Sequence, residues 1–182
     1  MRIISLDQSS MRTGFAIFDD SKLIHHGVID LHKEKDAGLR TKNMCKQIRQ
    51  FVKKYSPDCI VAEDVNLRNG SVRTVIMLAR LSGNIQEMAF EADIPIIFYS
   101  PSTWRKIAGI KMGRDIKREQ LKQEAIDMVY KAYGFKCGDD ESEAVVEGLA
   151  YLKENGLLPN IDKIKGEQIN GKEAEQGFCE QN

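Results

Sequence analysis

Four acidic residues stand where folding alone does not ask for an acid. Asp7 follows the apolar run Ile3-Ile4-Ser5-Leu6, and Glu63 follows Cys59-Ile60-Val61-Ala62. Asp140 and Glu143 stand three apart at the start of a helical segment, which puts both on one face of its first turn. Ligands of open α/β sheets bind at the carboxyl ends of central strands, so two strand-end acids and a helix-start pair can converge on one point. Carboxylates crowded there repel one another unless a cation is present, and an all-oxygen donor set suits Mg²⁺ or Mn²⁺. The chemistry that needs this is two-metal displacement at phosphorus: one ion activates water and the other stabilises the leaving oxygen.

Each acid also has a plain structural reading. Asp after a strand is a common turn residue, and Asp-x-x-Glu at a helix start has the pattern of a capping box. Asp64 stands beside Glu63 as an alternative to it. Asp139, Glu141 and Glu147 suit a helix N-terminus or a solvated face, and Asp139 competes with Glu143 to complete the set. What favours chemistry is the conjunction of all three elements in a compatible order.

The elements that must position these acids follow from the hydrophobic pattern. Residues 3–6, 14–18 and 23–29 read as strands joined by short turns, an antiparallel meander. Met44, Ile48, Phe51, Val52 and Tyr55 recur at helical spacing, which predicts a helix over residues 39–55 stopped by Ser56-Pro57-Asp58. Residues 59–62 form a strand of the buried, parallel type. The helix predicted over residues 72–92 carries two apolar faces, Val72, Val75, Ile76 and Ala79 on one, Leu78, Leu81, Ile85 and Met88 on the other. Such a helix lies between layers or against a second subunit. Residues 94–99 read as a fifth strand, and residues 100–117 as a short helix and a mobile loop. An amphipathic helix then ends at Gly134, and a last helix runs over residues 140–153. The fold class is α/β: a mixed five-stranded sheet, antiparallel meander then parallel strands, flanked by helices. One domain is expected over residues 1–158, with a polar, poorly ordered tail over 159–182.

At this point the residues resemble a known family. The string Leu6-Asp7-Gln8-Ser9-Ser10-Met11-Arg12-Thr13-Gly14-Phe15-Ala16 resembles the opening of RuvC-like Holliday junction resolvases: first acid, small polar loop, Thr-Gly, second strand. Val61-Ala62-Glu63-Asp64 resembles their second acid, and Asp140-Glu141-Ser142-Glu143-Ala144 their Asp-x-x-Asp-Ala on the last helix. Ser100-Pro101-Ser102-Thr103-Trp104-Arg105-Lys106 and Ile116-Lys117-Arg118-Glu119 look most like phage or prophage versions. The resemblance implies an RNase H-like fold, a homodimer, and divalent-metal-dependent paired nicking of four-way DNA junctions. It also implies that Asp7, Glu63, Asp140 and Glu143 hold two Mg²⁺ or Mn²⁺ per site, and Lys117 matches a family lysine near the scissile phosphate. The departures are Ser9 where the family often has Gly, Glu143 where Asp is common, and no aromatic wedge in Val65-Asn66-Leu67-Arg68.

Net charge first argues against a nucleic-acid partner. Lys+Arg and Asp+Glu each number 27, so the formal charge is zero, whereas nucleic-acid-binding domains are usually basic. The charges are segregated, however. Arg68, Arg73 and Arg80 are the only charged residues between Val65 and Gln86, and Arg105, Lys106, Lys111, Arg114, Lys117 and Arg118 face only Asp115 between Pro101 and Arg118. Both clusters flank the acids and are expected to contact phosphates, which position DNA without reading its sequence. A third run, Arg40, Lys42, Lys46, Arg49, Lys53 and Lys54, reads equally well as a solvated helix face. Trp104 is expected in the core or an interface. His25, His26 and His32 are expected at a sheet edge, away from every acid.

Cys45, Cys59, Cys137 and Cys179 form no CxxC pair, which argues against zinc and disulfides and for a reducing cytoplasm, that of the bacterial host if the chain is phage-encoded. No apolar run reaches the roughly 18 residues of a membrane span. Three other functions share some of these features. An RNase H-like nuclease acting on RNA or an RNA–DNA hybrid would use the same acids, and a non-catalytic junction binder would use the same basic patches. An actin-like nucleotide-binding protein also opens with an acid and a Gly-containing loop, but it needs a second lobe that 182 residues do not provide.

Overall fold

A computed structural model describes residues 1–65 and 71–158; the expected tail, and with it Cys179, and Arg68 lie outside the described residues. The elements run β1 (Arg2–Asp7), β2 (Arg12–Asp19), β3 (Lys22–Asp30), α1 (Ala37–Tyr55), β4 (Cys59–Glu63), α2 (Val72–Glu91), β5 (Ile96–Tyr99), α3 (Pro101–Ala108), α4 (Arg118–Tyr133) and α5 (Asp139–Glu154). The sheet order is β3-β2-β1-β4-β5. β1, β2 and β3 pair antiparallel, β4 lies parallel to β1, and β5 parallel to β4. The mixed five-stranded sheet expected from the pattern is therefore the one observed. β5 begins later than expected because Pro95 has no N–H to give the ladder; its carbonyl accepts from Ile60 N at 3.0 Å.

Alternation along the strands divides the core into two layers. Ile4, Leu6, Ile60 and Ala62 face α1 and α2 and pack with Met44, Ile48, Leu81 and Ile85. Ile3, Cys59 and Val61 face the other side, where Trp104, Val129, Val145 and Leu149 cover them from α3, α4 and α5. The same parity sends Asp7 and Glu63 toward α5. Leu6 pairs with Ala62 across β1 and β4, so the two acids end adjacent parallel strands.

Helix α5 is buried on nearly every side from Ser142 to Ala150, and two glycines allow it to lie so close to the sheet. A Cβ on Gly14 of β2 would stand 1.9 Å from the Asp140 carbonyl oxygen, and one on Gly148 would stand 2.4 Å from the Phe18 ring. Helix starts use local side-chain caps: Asp36 accepts from Leu39 N, Ser71 from Thr74 N and Ser100 from Thr103 N. Among the described residues, no helix is long and apolar enough to cross a membrane.

Candidate active site

Asp7, Glu63, Asp140 and Glu143 line one cavity of about 750 Å³ at the carboxyl edge of β1 and β4. Asp7 is the most perturbed of them. Burial pushes its carboxyl well above the ordinary carboxylate range, and Glu63, Glu143 and Asp140 push it further. Glu63 is raised by burial first; the hydrogen bond from the Trp104 indole opposes this and Glu143 reinforces it. Asp140 is raised by burial and by Asp139. Asp139 is lowered, because Lys122 of α4 donates to it at 2.5 Å.

Glu63, Asp140 and Glu143 each meet a neighbour the sequence pattern did not reveal. Trp104 Nε1 donates to Glu63 Oε2 at 2.9 Å, and Gln8 Nε2 donates to the Glu63 carbonyl at 2.5 Å. Trp104 is thus a core residue, as expected, but its polar edge orients an acid of the site. Asp64 is exposed and bonds its own loop at Val65 N, so Glu63 is the acid that turns inward. Arg105 Nη2 donates to Glu143 Oε1 at 2.5 Å, with only 13% and 6% of the two side chains exposed, and the guanidinium stacks on Trp104. Arg105 lines the cavity as well, so its guanidinium sits within the acid cluster. Arg12 Nε lies 3.5 Å from Asp140 Oδ2 and from Asp30 Oδ2. The loop after Asp7 is closed by Thr13, whose hydroxyl donates to Ser9 O at 2.6 Å.

The remaining basic residues separate. Arg73 and Arg118 line the cavity. Lys106, Lys111, Arg114 and Lys117 are exposed and outside its lining. Lys117 immediately precedes α4, where its N–H donates to Gln120 Oε1 at 2.8 Å, while its neighbours Ile116 and Arg118 face the cavity.

Two expectations are corrected. The histidines are not away from every acid: His26 Nδ1 lies 2.5 Å from Glu141 Oε1 and His32 Nδ1 lies 2.6 Å from Asp30 Oδ1. His26 also stacks on Phe135 with centroids 4.3 Å apart. The meander folds β3 under the start of α5, which no local pattern announces. Glu147 is not on a solvated face either. It is 1% exposed, and neither carboxylate oxygen has a partner among the described residues. Burial, Glu63, Asp7 and Glu143 all raise its proton affinity well above that of an ordinary Glu.

Glu147 has a consequence for stability. The folded protein keeps a proton that the unfolded chain releases above the ordinary value of 4.5, so folding stability falls as pH rises beyond that point. Glu147→Gln preserves the shape and removes the titration. Without metal, its stability relative to wild type is expected to grow by up to about 1.4 kcal/mol per pH unit between pH 5 and the folded-state value. Urea unfolding at pH 5, 6, 7 and 8 measures this; a difference independent of pH refutes it.

As positioned, no three His, Cys, Asp or Glu side chains among the described residues form a group that could hold a metal ion. The turned-away partners explain this: Glu143 meets Arg105, Asp140 meets Arg12, and Glu63 meets Trp104. The donor chemistry nonetheless fits a hard divalent cation. The four groups offer oxygen only, and a cation would offset the burial and the mutual repulsion that together raise the proton affinity of Asp7 and Glu63.

The sheet order, the two helical layers and acids at the ends of β1 and β4 define an RNase H-like fold. The profile of the crossover junction endodeoxyribonuclease RuvC family matches residues 3–133, and the chain belongs to that family. A RuvC from Syntrophomonas wolfei is 24% identical over 159 residues, which are 84% of this chain and 88% of the relative. The solved T. thermophilus RuvC in complex with Holliday junction substrate superposes with a TM-score of 0.70 at 15% identity, covering 86% of this chain and 96% of that one. Fowlpox virus resolvase, solved with Holliday junction DNA, gives 0.58 at 19% identity over 85% and 99%.

Proposed function

We propose that this chain is a metal-dependent endonuclease that cuts branched DNA and resolves Holliday junctions by phosphodiester hydrolysis. The observation that carries this is the convergence of Asp7, Glu63, Asp140 and Glu143 on one cavity rimmed by Arg73 and Arg118, in a member of the RuvC family. These four acids would hold Mg²⁺ or Mn²⁺, two per site, and the ions would supply water activation and charge stabilisation at the leaving oxygen. The chain's own residues prepare the site. Trp104 and Gln8 hold the end of β4 so that Glu63 keeps one orientation. Arg105 compensates Glu143 in a nearly dry environment. Arg73 and Arg118 place positive charge where phosphates approach, and Lys106, Lys111, Arg114 and Lys117 extend it beyond the cavity mouth. Lys117 remains the lysine proposed to neutralise developing charge near the scissile phosphate.

The proposed assembly is a homodimer. A four-way junction has two-fold symmetry, which a two-fold dimer matches with one site per opposed strand. Helix α2 supports this: Leu81, Ile85 and Met88 are buried, while Val72 and Ile76 on its other face are 77% and 45% exposed. The blocks at Ser100–Lys106 and Ile116–Glu119 support a phage or prophage-type version, acting in the bacterial cytoplasm.

The test is incubation of the protein with labelled four-way, three-way, flap and linear DNA and with RNA–DNA hybrid, with and without Mg²⁺. Symmetric nicks in the four-way substrate, dependent on Mg²⁺, are expected. Products from hybrid alone, or junction binding without any cleavage, refute the reading.

A further inference from the structure

Helix α1 carries a feature that the cavity does not use. Lys42, Lys46, Arg49 and Lys53 recur at i, i+4, i+7 and i+11, one continuous stripe, and all four are exposed. The helix contains no acid at all. Among the described residues Lys42, Lys46 and Lys53 have no ion-pair partner, and Arg49 alone pairs, with Glu91 of α2. A merely solvated helix gains by mixing charges at i,i+4, whereas like charges at that spacing destabilise it. Here the repulsion is retained in a chain whose overall charge is zero. The first three residues of the stripe, with Asn84, line a groove of about 500 Å³ between α1 and α2.

The topology aims the stripe. β4 runs parallel to β1, so the helix that precedes β4 starts at the sheet edge where Asp7 ends its strand. Arg40, in the first turn of α1, lines the catalytic cavity. From Lys42 to Lys53 the stripe covers roughly 16 Å of helix axis, about five base-pair steps of duplex. We propose that the outer face of α1 is a second phosphate-binding track, which holds one DNA arm as it leaves the catalytic cavity. The proposal rests on the branched-DNA reading above. Its occupant is a duplex backbone, because the stripe offers cations at helical spacing, three of them without an ion-pair partner among the described residues, which suits phosphates rather than base edges.

The experiment compares the full chain with the triple variant Lys42→Gln, Lys46→Gln, Lys53→Gln, both in an Asp7→Asn background to prevent cutting. Binding of a four-way DNA junction is measured from 50 to 300 mM salt. The variant is expected to bind at least about 10-fold more weakly at 100 mM. Its slope of log K against log[salt] is expected to be shallower by about 2 to 3, roughly one unit for each phosphate no longer neutralised. Its melting temperature is expected to be unchanged or higher, since like charges have been removed, and with Asp7 restored its cleavage rate at saturating junction is expected to be unchanged. Equal affinity and equal slope overturn the track. So does a loss of affinity that accompanies dissociation to monomer in light scattering, which would make this face an interface between copies. If the Asp7→Asn chain with its lysines intact binds no junction, the functional reading fails instead, which separates the two failures.

Discussion

Asp7→Asn is expected to reduce cleavage of a four-way junction by on the order of 10³-fold or more while junction binding is retained. Asp7 ends the central strand of the sheet, and Glu63, Glu143 and Asp140 all add to the effect of burial on its carboxyl. Asparagine keeps its shape and one oxygen but removes the charge that a divalent ion needs. The same substitution lifts repulsion within the cluster, so the metal-free variant is expected to be more stable than wild type above about pH 5. The sign follows from the raised proton affinity of Asp7: the folded state holds a proton that the unfolded chain has lost, and stability declines as pH rises through that window. Cleavage, junction binding and urea unfolding on the same preparation decide the matter. Cutting at the wild-type rate would place the chemistry elsewhere.

Gly14→Ala is expected to cost activity on the order of 10²-fold without touching any acid. The new Cβ would lie 1.9 Å from the Asp140 carbonyl oxygen, so the start of α5 must move by more than about 1 Å, since Gly14 itself is held in the sheet by its pairing with Asp7. Asp140 and Glu143 ride on that turn, and a shift of this size separates them from the strand-end acids. A loss of about 1–3 kcal/mol in stability is expected alongside, the usual range for overpacking. Full activity in a folded Gly14→Ala protein would show that α5 is not positioned by its contact with β2.

Much of the site was legible because strands alternate with period two. Asp7 shares parity with Ile3 and Ser5, and Glu63 with Cys59 and Val61, so a reading of adjacent parallel strands already sends both acids to one face. The helix-start pair needed only the i, i+3 rule to add two more. The Thr13-Gly14 step was visible as a motif, but its meaning, a helix lying almost in contact with a strand, was not.

What the sequence by itself determined is the order of the elements and which acids stand at their ends, since both depend on local periodicity. Tertiary structure decided the partners. Trp104 on Glu63, Arg105 on Glu143, Lys122 on Asp139 and His26 on Glu141 join residues 17 to 115 positions apart. Glu147 makes the same point from burial. By residue type alone an acid one turn beyond Glu143 reads as solvated, and only the packing of α5 against the sheet, with Gly148 pressed on Phe18, puts it in the core. Charge at a site is set by which groups share its low-dielectric volume, and that is a property of packing, not of spacing along the chain.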